Sequence, residues 1–280
     1  MTHAFFRERP LRAQVRDWKR GGLRVGFVPT MGALHAGHIS LVRLALEHAD
    51  RVVASIYVNP TQFGEGEDLD AYPRMEDSDV AALREAGCHA AYIPSNLYGE
   101  GFATRVEVDG HTAEMEGEHR PTHFAGVALV VAKLFNRVQP DVAVFGEKDY
   151  QQLAMIRRMV TDLDFPIEIV GAPIARDAHG LALSSRNAYL DADCLAVART
   201  LNIALGNAVR RLEAGKDAEA VLAGARDAIL GAGFEALDYL KLRDADTLGP
   251  VTPDTREARL LTVARIGGVR LLDNMAVRLG

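Results

Sequence analysis

The sequence predicts an α/β protein with a mainly parallel sheet, joined to a smaller α+β C-terminal domain with an antiparallel sheet. Two observations lead there. Over the first 175 residues, short apolar β-branched runs alternate with segments of helical spacing, the pattern of parallel strands linked by helical crossovers. After about residue 176 the order changes: long alanine-rich segments come first, and three strand-like runs follow. At ~100–200 residues per domain, the 280-residue chain accommodates a division into 1–175 and 176–280.

The elements follow in order. The basic run Arg7 to Arg24 is interleaved with Leu11, Val15 and Trp18 and reads as a solvated amphipathic helix rather than a binding arm. Residues 23–28 (LRVGFV) follow a Gly-Gly break and form a buried strand. Residues 38–48 place Ile39, Leu41, Val42, Ala45 and Leu46 at helical spacing, and 51–58 (RVVASIYV) are a second buried strand. The turn-rich stretch 59–74 is long enough to suspect function. A helix over 76–86 and a strand over 89–93 come next, then an alternating, more exposed strand at 104–110 (TRVEVDG). Helix 127–137, strand 141–146, helix 149–161 and strand 166–171 complete the first domain. In the second, helices over 192–214 and 217–231 precede strands over 236–243, 258–265 and 268–273.

Composition narrows the function. A net charge of −6 with no basic stripe argues against a nucleic-acid partner. The longest apolar run, Phe124 to Phe135, is interrupted by Lys133 and is too short to span a bilayer, so no membrane segment is expected. The start MTHAFFRERPLRAQ lacks the apolar core of a signal peptide, and Cys88 and Cys194, the only cysteines, form no disulfide framework. Reduced, buried thiols in a cytoplasmic protein are expected.

Ligands of parallel sheets bind beyond the carboxyl ends of the strands. Three polar motifs fall at such ends: PTMGALHAGH after the first strand, NPTQFG after the second and GEKDYQQ after DVAVF. A fourth, GLALSSRN (180–187), lies at the expected domain junction. In the first, Gly32 and Gly37 let backbone approach a ligand, and the helix beginning near Gly37 offers unpaired N–H groups to an anion. His35 and His38, three apart, can lie side by side there and hydrogen-bond phosphate oxygens. One such histidine would read as a cap in a connector; two, between glycines and beyond a buried strand, read as functional. A zinc pair is disfavoured because no third ligand follows at a recognised spacing.

Neither the dinucleotide fingerprint nor a P-loop is present, so phosphates must be held another way. Lys148 offers a point charge for phosphate, and Asp149 can cap the helix or meet a ribose; a surface ion pair fits that motif equally well. Gln151 and Gln152 open the next helix, and one of them can face the site. Ser184, Ser185 and Arg186 make a phosphate grip or a turn with N-cap serines. No G-x-S-x-G elbow supports a serine nucleophile. Asn59 and Gln62 suit a substrate with hydroxyl and carboxylate groups, although Asn59-Pro60 also reads as a plain turn. The acidic EGEDLD stretch, Asp77 and Asp79 could serve Mg²⁺, with solvated loop charge the default reading. His119, Arg120 and His123 form a wall or lid of the site, or an exposed loop.

Together these stretches resemble the pantoate–β-alanine ligases, the pantothenate synthetase family of coenzyme A biosynthesis. The matches are PTMGALHAGH, VNPTQFG with DLDAYPR, RPTHFAGV, FGEKDYQQL, GLALSSRN and C-terminal RLLDNMAV, in one order over nearly the whole chain. The family sits in the nucleotidyltransferase superfamily; HAGH and LSSRN correspond to the two signatures of class I aminoacyl-tRNA synthetases. The resemblance implies a Rossmann-like domain binding ATP and pantoate, a smaller domain closing over the ATP site, and a homodimer. It implies two steps: pantoate carboxylate attacks the α-phosphorus of ATP, then the β-alanine amine attacks the acyl carbon of pantoyl adenylate. Products are pantothenate, AMP and pyrophosphate.

Carried over by position, the ATP site comprises Met31, Gly32, Ala33, Leu34, His35, Ala36, Gly37 and His38. It continues with Gly146, Glu147, Lys148, Asp149, Ala175, Leu183, Ser184, Ser185 and Arg186. His35, His38, Lys148, Ser184, Ser185 and Arg186 are the implied catalytic set, with His38 at the position described as proton donor or charge stabiliser. Gln62 and Gln152 correspond to pantoate contacts, Gln62 also to β-alanine, with Asn59 a helper. Mg²⁺ accompanies ATP, its protein ligands left open. Ala36 replaces an expected glutamate and removes a charge beside the phosphates, while Leu183 and Ala175 replace a methionine and a valine in adenine packing.

A different adenylyl- or cytidylyltransferase using the same turn and SSR segment is the rival reading. A nucleotide-binding protein without catalysis is opposed by the intact polar motifs, and a tRNA synthetase by the acidic balance.

Overall fold

Val25–Thr30 (β2) is apolar and buried on both sides, as a central parallel strand must be. It pairs in parallel with Arg51–Ile56 (β3) and with Val142–Gly146 (β5). The computed structural model describes residues 2–64, 66–67 and 69–280. His3–Phe5 (β1), Ala90–Tyr92 (β4) and Glu168–Ala172 (β6) complete a six-stranded sheet in the order β1-β4-β3-β2-β5-β6, parallel throughout. The carboxyl ends of β2, β3 and β5 therefore share one edge, and the strand order reverses between β2 and β5, where such sheets bind ligands.

Alternate residues serve opposite faces. Val28, Ala54 and Val144 pack with Val42 and Ala45 of α2 (Ala36–His48) and Leu83 of α3 (Glu76–Glu85). Phe27 and Phe145 turn the other way and meet Phe135 edge-on, on α5 (His123–Val138). The basic N-terminal run is the helix Glu8–Arg20 (α1), with Leu11 and Val15 buried and Lys19 and Arg20 at its dipole-favoured end. A four-residue helix, Glu116–His119 (α4), precedes α5, and Tyr150–Asp162 (α6) follows β5.

The other sheet is antiparallel: Ala236–Asp244 (β7), Glu257–Ile266 (β8) and Val269–Arg278 (β9). Its core joins Leu240, Leu260 and Leu271 to Leu201, Leu205 and Ile229. These last come from Thr200–Glu213 (α8) and Ala218–Gly231 (α9), the latter capped by Asp217 accepting from Ala220 N–H at 2.8 Å. The chain divides into two compact units, Met1–Glu147 with Met155–Pro173, and Lys148–Ala154 with Ile174–Gly280. Among the described residues no helix is long and apolar enough to cross a membrane.

Three expectations are corrected. Residues 104–110 form no strand. Alternation at Val106 and Val108 specifies extended backbone but not a partner, and the sheet position beside β4 is taken by β1, which the sequence reading passed over. The helix expected over 192–214 is two, Ala192–Ala198 (α7) and α8, with Arg199 between them donating to Asp177 at 3.1 Å. Cys88 is buried, its thiol pushed up to about 11 by burial, but Cys194 is only half-buried.

Asp238 on β7 accepts from Arg265 (2.5 Å) and Arg270 (2.7 Å). Burial acts to raise its pKa, but the two guanidinium groups outweigh it and hold the carboxyl below the usual carboxylate range. A depressed folded pKa stabilises above the unfolded value, about 3.9, and that stability fades as pH falls through the folded one. Asp238→Asn should therefore be less stable than the parent at pH 7, with the gap closing in denaturation curves taken below about pH 4. A gap independent of pH would show the ion pairs contribute nothing.

Candidate active site

The turn after β2 is built before any ligand arrives. Gly32 (φ +83°) and Ala33 (φ +50°) are left-handed, a conformation unusual for alanine. Asp79, on α3 and 2% exposed, holds it there: its two carboxylate oxygens accept from Ala33 N–H (2.9 Å) and Leu34 N–H (2.8 Å). A Cβ on Gly32 would sit 2.8 Å from Asp79 Oδ2, so the clamp also requires glycine. Thr30 ties the turn to the next strand, donating to Ser55 C=O at 2.6 Å and accepting from Gly32 N–H at 3.2 Å.

The clamp delivers His35 to the N-cap of α2. Its Nδ1 accepts from Gly37 N–H at 3.1 Å, while His38 Nδ1 accepts from His35 N–H at 3.4 Å, a capping box made of two imidazoles. The ring centroids lie 4.2 Å apart. Because both Nδ1 atoms accept, the N–H of each ring lies on Nε2. No acidic residue occupies the first turn of α2, and Ala36 is exposed, so the helix itself supplies no charge against the positive end of its dipole. Side by side at that end, the donors suit phosphate oxygens. Of the two readings of these histidines, the structure shows the capping one, made through the Nδ1 atoms.

The neighbouring loop presents an amide. Asn59, 1% exposed, caps the short 3-10 turn Pro60–Gln62. Its Nδ2 donates to Gln62 Oε1 (3.1 Å) and Gly126 C=O (3.2 Å), and its Oδ1 accepts from Tyr98 OH (2.7 Å) and Thr61 Oγ1 (3.0 Å). Asn59 thus orients Gln62, whose Nε2 points to Met31 Sδ at 3.0 Å. Tyr98, which sequence reasoning passed over, stays a neutral donor: burial, with Tyr57 adding, outweighs its bond to Thr61 and pushes it up to about 12. Gly126 of α5 lies against this turn so closely that a Cβ would fall 2.1 Å from Thr61 C=O oxygen.

Arg120 and His123 buttress the same loop. Both donate to Gln62 C=O, at 3.2 and 3.0 Å, and Arg120 also pairs with Glu67 at 2.6 Å. Burial opposes ionisation of Glu67, yet the Arg120 hydrogen bond and charge prevail and its pKa is lowered. His119 is exposed, as is Asp77. Glu65 and Asp68 of the acidic stretch lie outside the described residues.

In the second unit, Lys148 lies in the 3-10 turn Glu147–Asp149, its Nζ 3.9 Å from Asp149 Oδ1. Gln151 is buried and Gln152 half-buried at the start of α6. Ala175 and Leu183 are bonded across a hairpin, Leu183 N–H to Ala175 C=O at 2.8 Å. Ser184 caps the following turn, its hydroxyl accepting from Arg186 N–H at 3.3 Å. Lys148 and Ser184 line one small cavity together with Asn187, Arg270 and Asp273.

A parallel sheet with a histidine-capped helix and an oriented amide on its carboxyl edge places the site where enzymes of the open α/β class bind their ligands. The chain belongs to the pantoate-β-alanine ligase family, whose model matches residues 4–276. It is 54% identical over 269 residues to pantothenate synthetase of Mesorhizobium japonicum, covering 95% of each chain. Among solved structures it superposes on pantothenate synthetase from Thermus thermophilus with a TM-score of 0.91, at 44% identity over 98% of this chain and 99% of that one. A pantoate-β-alanine ligase from Francisella tularensis, complexed with beta-gamma ATP and β-alanine, matches with a TM-score of 0.81 at 30% identity, covering 98% of this chain and 97% of that one.

Proposed function

We propose that the enzyme condenses pantoate with β-alanine at the expense of ATP, through pantoyl adenylate, releasing AMP and pyrophosphate. The observation that carries this is the capping box of two imidazoles at the N-terminus of α2, whose first turn holds no acidic residue. In this reading His35 and His38 receive ATP phosphates and stabilise charge gathering as the pantoate carboxylate attacks the α-phosphorus. Adenylation is needed because a carboxylate is a poor acyl donor and AMP a good leaving group. Lys148 supplies a point charge to the phosphates, and Ser184, Ser185 and Arg186 grip them. Met31 through His38, Gly146 through Asp149, Ala175 and Leu183 line the nucleotide. Gln62 and Gln152 bind pantoate, Gln62 reaches β-alanine, and Asn59 acts through Gln62.

Among the described residues no three His, Cys, Asp or Glu side chains cluster to hold a metal. We place Mg²⁺ with the incoming ATP, held by phosphates and water. The ATP and β-alanine carried by the Francisella relative support the substrate assignment. A homodimer, a cytoplasmic location, and a C-terminal domain that closes over ATP belong to the same proposal.

The test is exchange of labelled pyrophosphate into ATP without β-alanine. Exchange that requires pantoate is expected; its absence would favour the rival nucleotidyltransferase. Gln62→Ala should weaken pantoate binding more than ATP binding, read by isothermal titration with each ligand; equal losses would count against the substrate role.

A further inference from the structure

Two adjacent polar residues of β9, Asp273 and Asn274, are 3% and 2% exposed. Buried polar side chains in such a place must be fully engaged. Asn274 Nδ2 donates to the backbone carbonyl of Lys148 at 2.9 Å. Its Oδ1 accepts from Arg259 Nε at 2.6 Å. The Arg259 guanidinium lies 4.2 Å from the ring centre of Tyr150, two residues beyond Lys148, and Tyr150 OH is anchored to Ala245 C=O at 3.0 Å. The turn carrying Lys148 is thus held in a closed circuit.

Only an amide closes it, because one end must donate to a carbonyl while the other accepts from a guanidinium. Asp273 serves the other side. It accepts two parallel bonds from Arg176, at 2.7 and 2.8 Å, and Arg176 also donates to Gly180 C=O at 2.9 Å. Arg176 and Ala182 form the bridge of the hairpin that leads into Ser184–Arg186. Asn274 N–H donates to Asp273 Oδ1 at 2.7 Å, coupling the two grips.

We infer that Asn274, backed by Asp273, is a positioning residue that sets Lys148 relative to the Ser184–Arg186 segment for adenylation. This rests on the reading above that Lys148 meets ATP phosphate. Neither residue touches substrate; both act through backbone that carries groups which do.

The test is pantoate-dependent pyrophosphate exchange in the full-length enzyme. Asn274→Asp keeps the acceptor for Arg259 but sets a carboxylate oxygen against the Lys148 carbonyl. Exchange should fall ~10–100-fold, the scale of a misplacement near 1 Å. Arg259→Leu, at a half-exposed site and safer for folding, should produce a smaller loss of the same kind. Both losses should largely vanish in a Lys148→Ala background, which a general weakening of the fold would not do. Normal exchange in both single variants, or losses that multiply in the double variants, would overturn the positioning role alone. A fully active Lys148→Ala enzyme would overturn the phosphate reading and this inference with it.

Discussion

His38→Ala is expected to slow pantoate adenylation by ~10²–10³, the cost of losing one preorganised donor to developing charge, while the fold persists. The imidazole is half-buried and joins the capping box through a long bond, His35 N–H to His38 Nδ1 at 3.4 Å. Losing that bond removes one part of the capping box, and Gly37 N–H still reaches His35 Nδ1. A lost cap costs about 1 kcal/mol of stability, too little to explain the rate. Rapid-quench measurement of AMP-linked acyl formation in a single turnover separates the two effects. A near-normal single-turnover rate would refute the charge-stabilising role.

Asp79→Ala should act through the same histidines without touching a substrate. It leaves the Ala33 and Leu34 N–H groups without their acceptors, in a turn that is left-handed at Gly32 and Ala33. Each stranded donor costs about 1–3 kcal/mol if it stays buried, and the turn will instead relax. His35 and His38 then lose their registration at the N-terminus of α2, and adenylation should fall on the order of 10²-fold. The apparent KM for ATP should rise with it, while Asp79→Asn, which keeps one acceptor oxygen, should fall between. The measurement is kcat and KM for ATP in all three enzymes, normalised to folded protein. A variant melting earlier but keeping full activity per folded molecule would make Asp79 a stability residue only.

The histidine turn was legible because its information is local. A buried strand, two glycines and a helical pattern lie within about twenty residues, and capping physics does the rest. Gln62 was legible for the same reason, next to an Asn-Pro turn. The supports were not. Asp79 contacts a turn 45 residues earlier, Tyr98 reaches Asn59 across 39, and Asn274 holds a carbonyl 126 residues away. In sequence, Asp79 sits among Glu76, Asp77 and Ser78, indistinguishable from the solvated acids of a helix start. One turn of α3 decides that Asp79 is buried and Asp77 is not. The same limit explains residues 104–110: a period of two fixes the backbone, whereas pairing depends on which edge is vacant. His3–Phe5 was missed because three residues carry too little pattern to read.

Transfer of heavy oxygen from labelled pantoate carboxylate measures the central claim most directly. If the carboxylate attacks the α-phosphorus, one labelled oxygen must appear in AMP, with the other kept in the amide product. Unlabelled AMP, or label in pyrophosphate, would contradict the adenylate route and the role of the histidine turn with it.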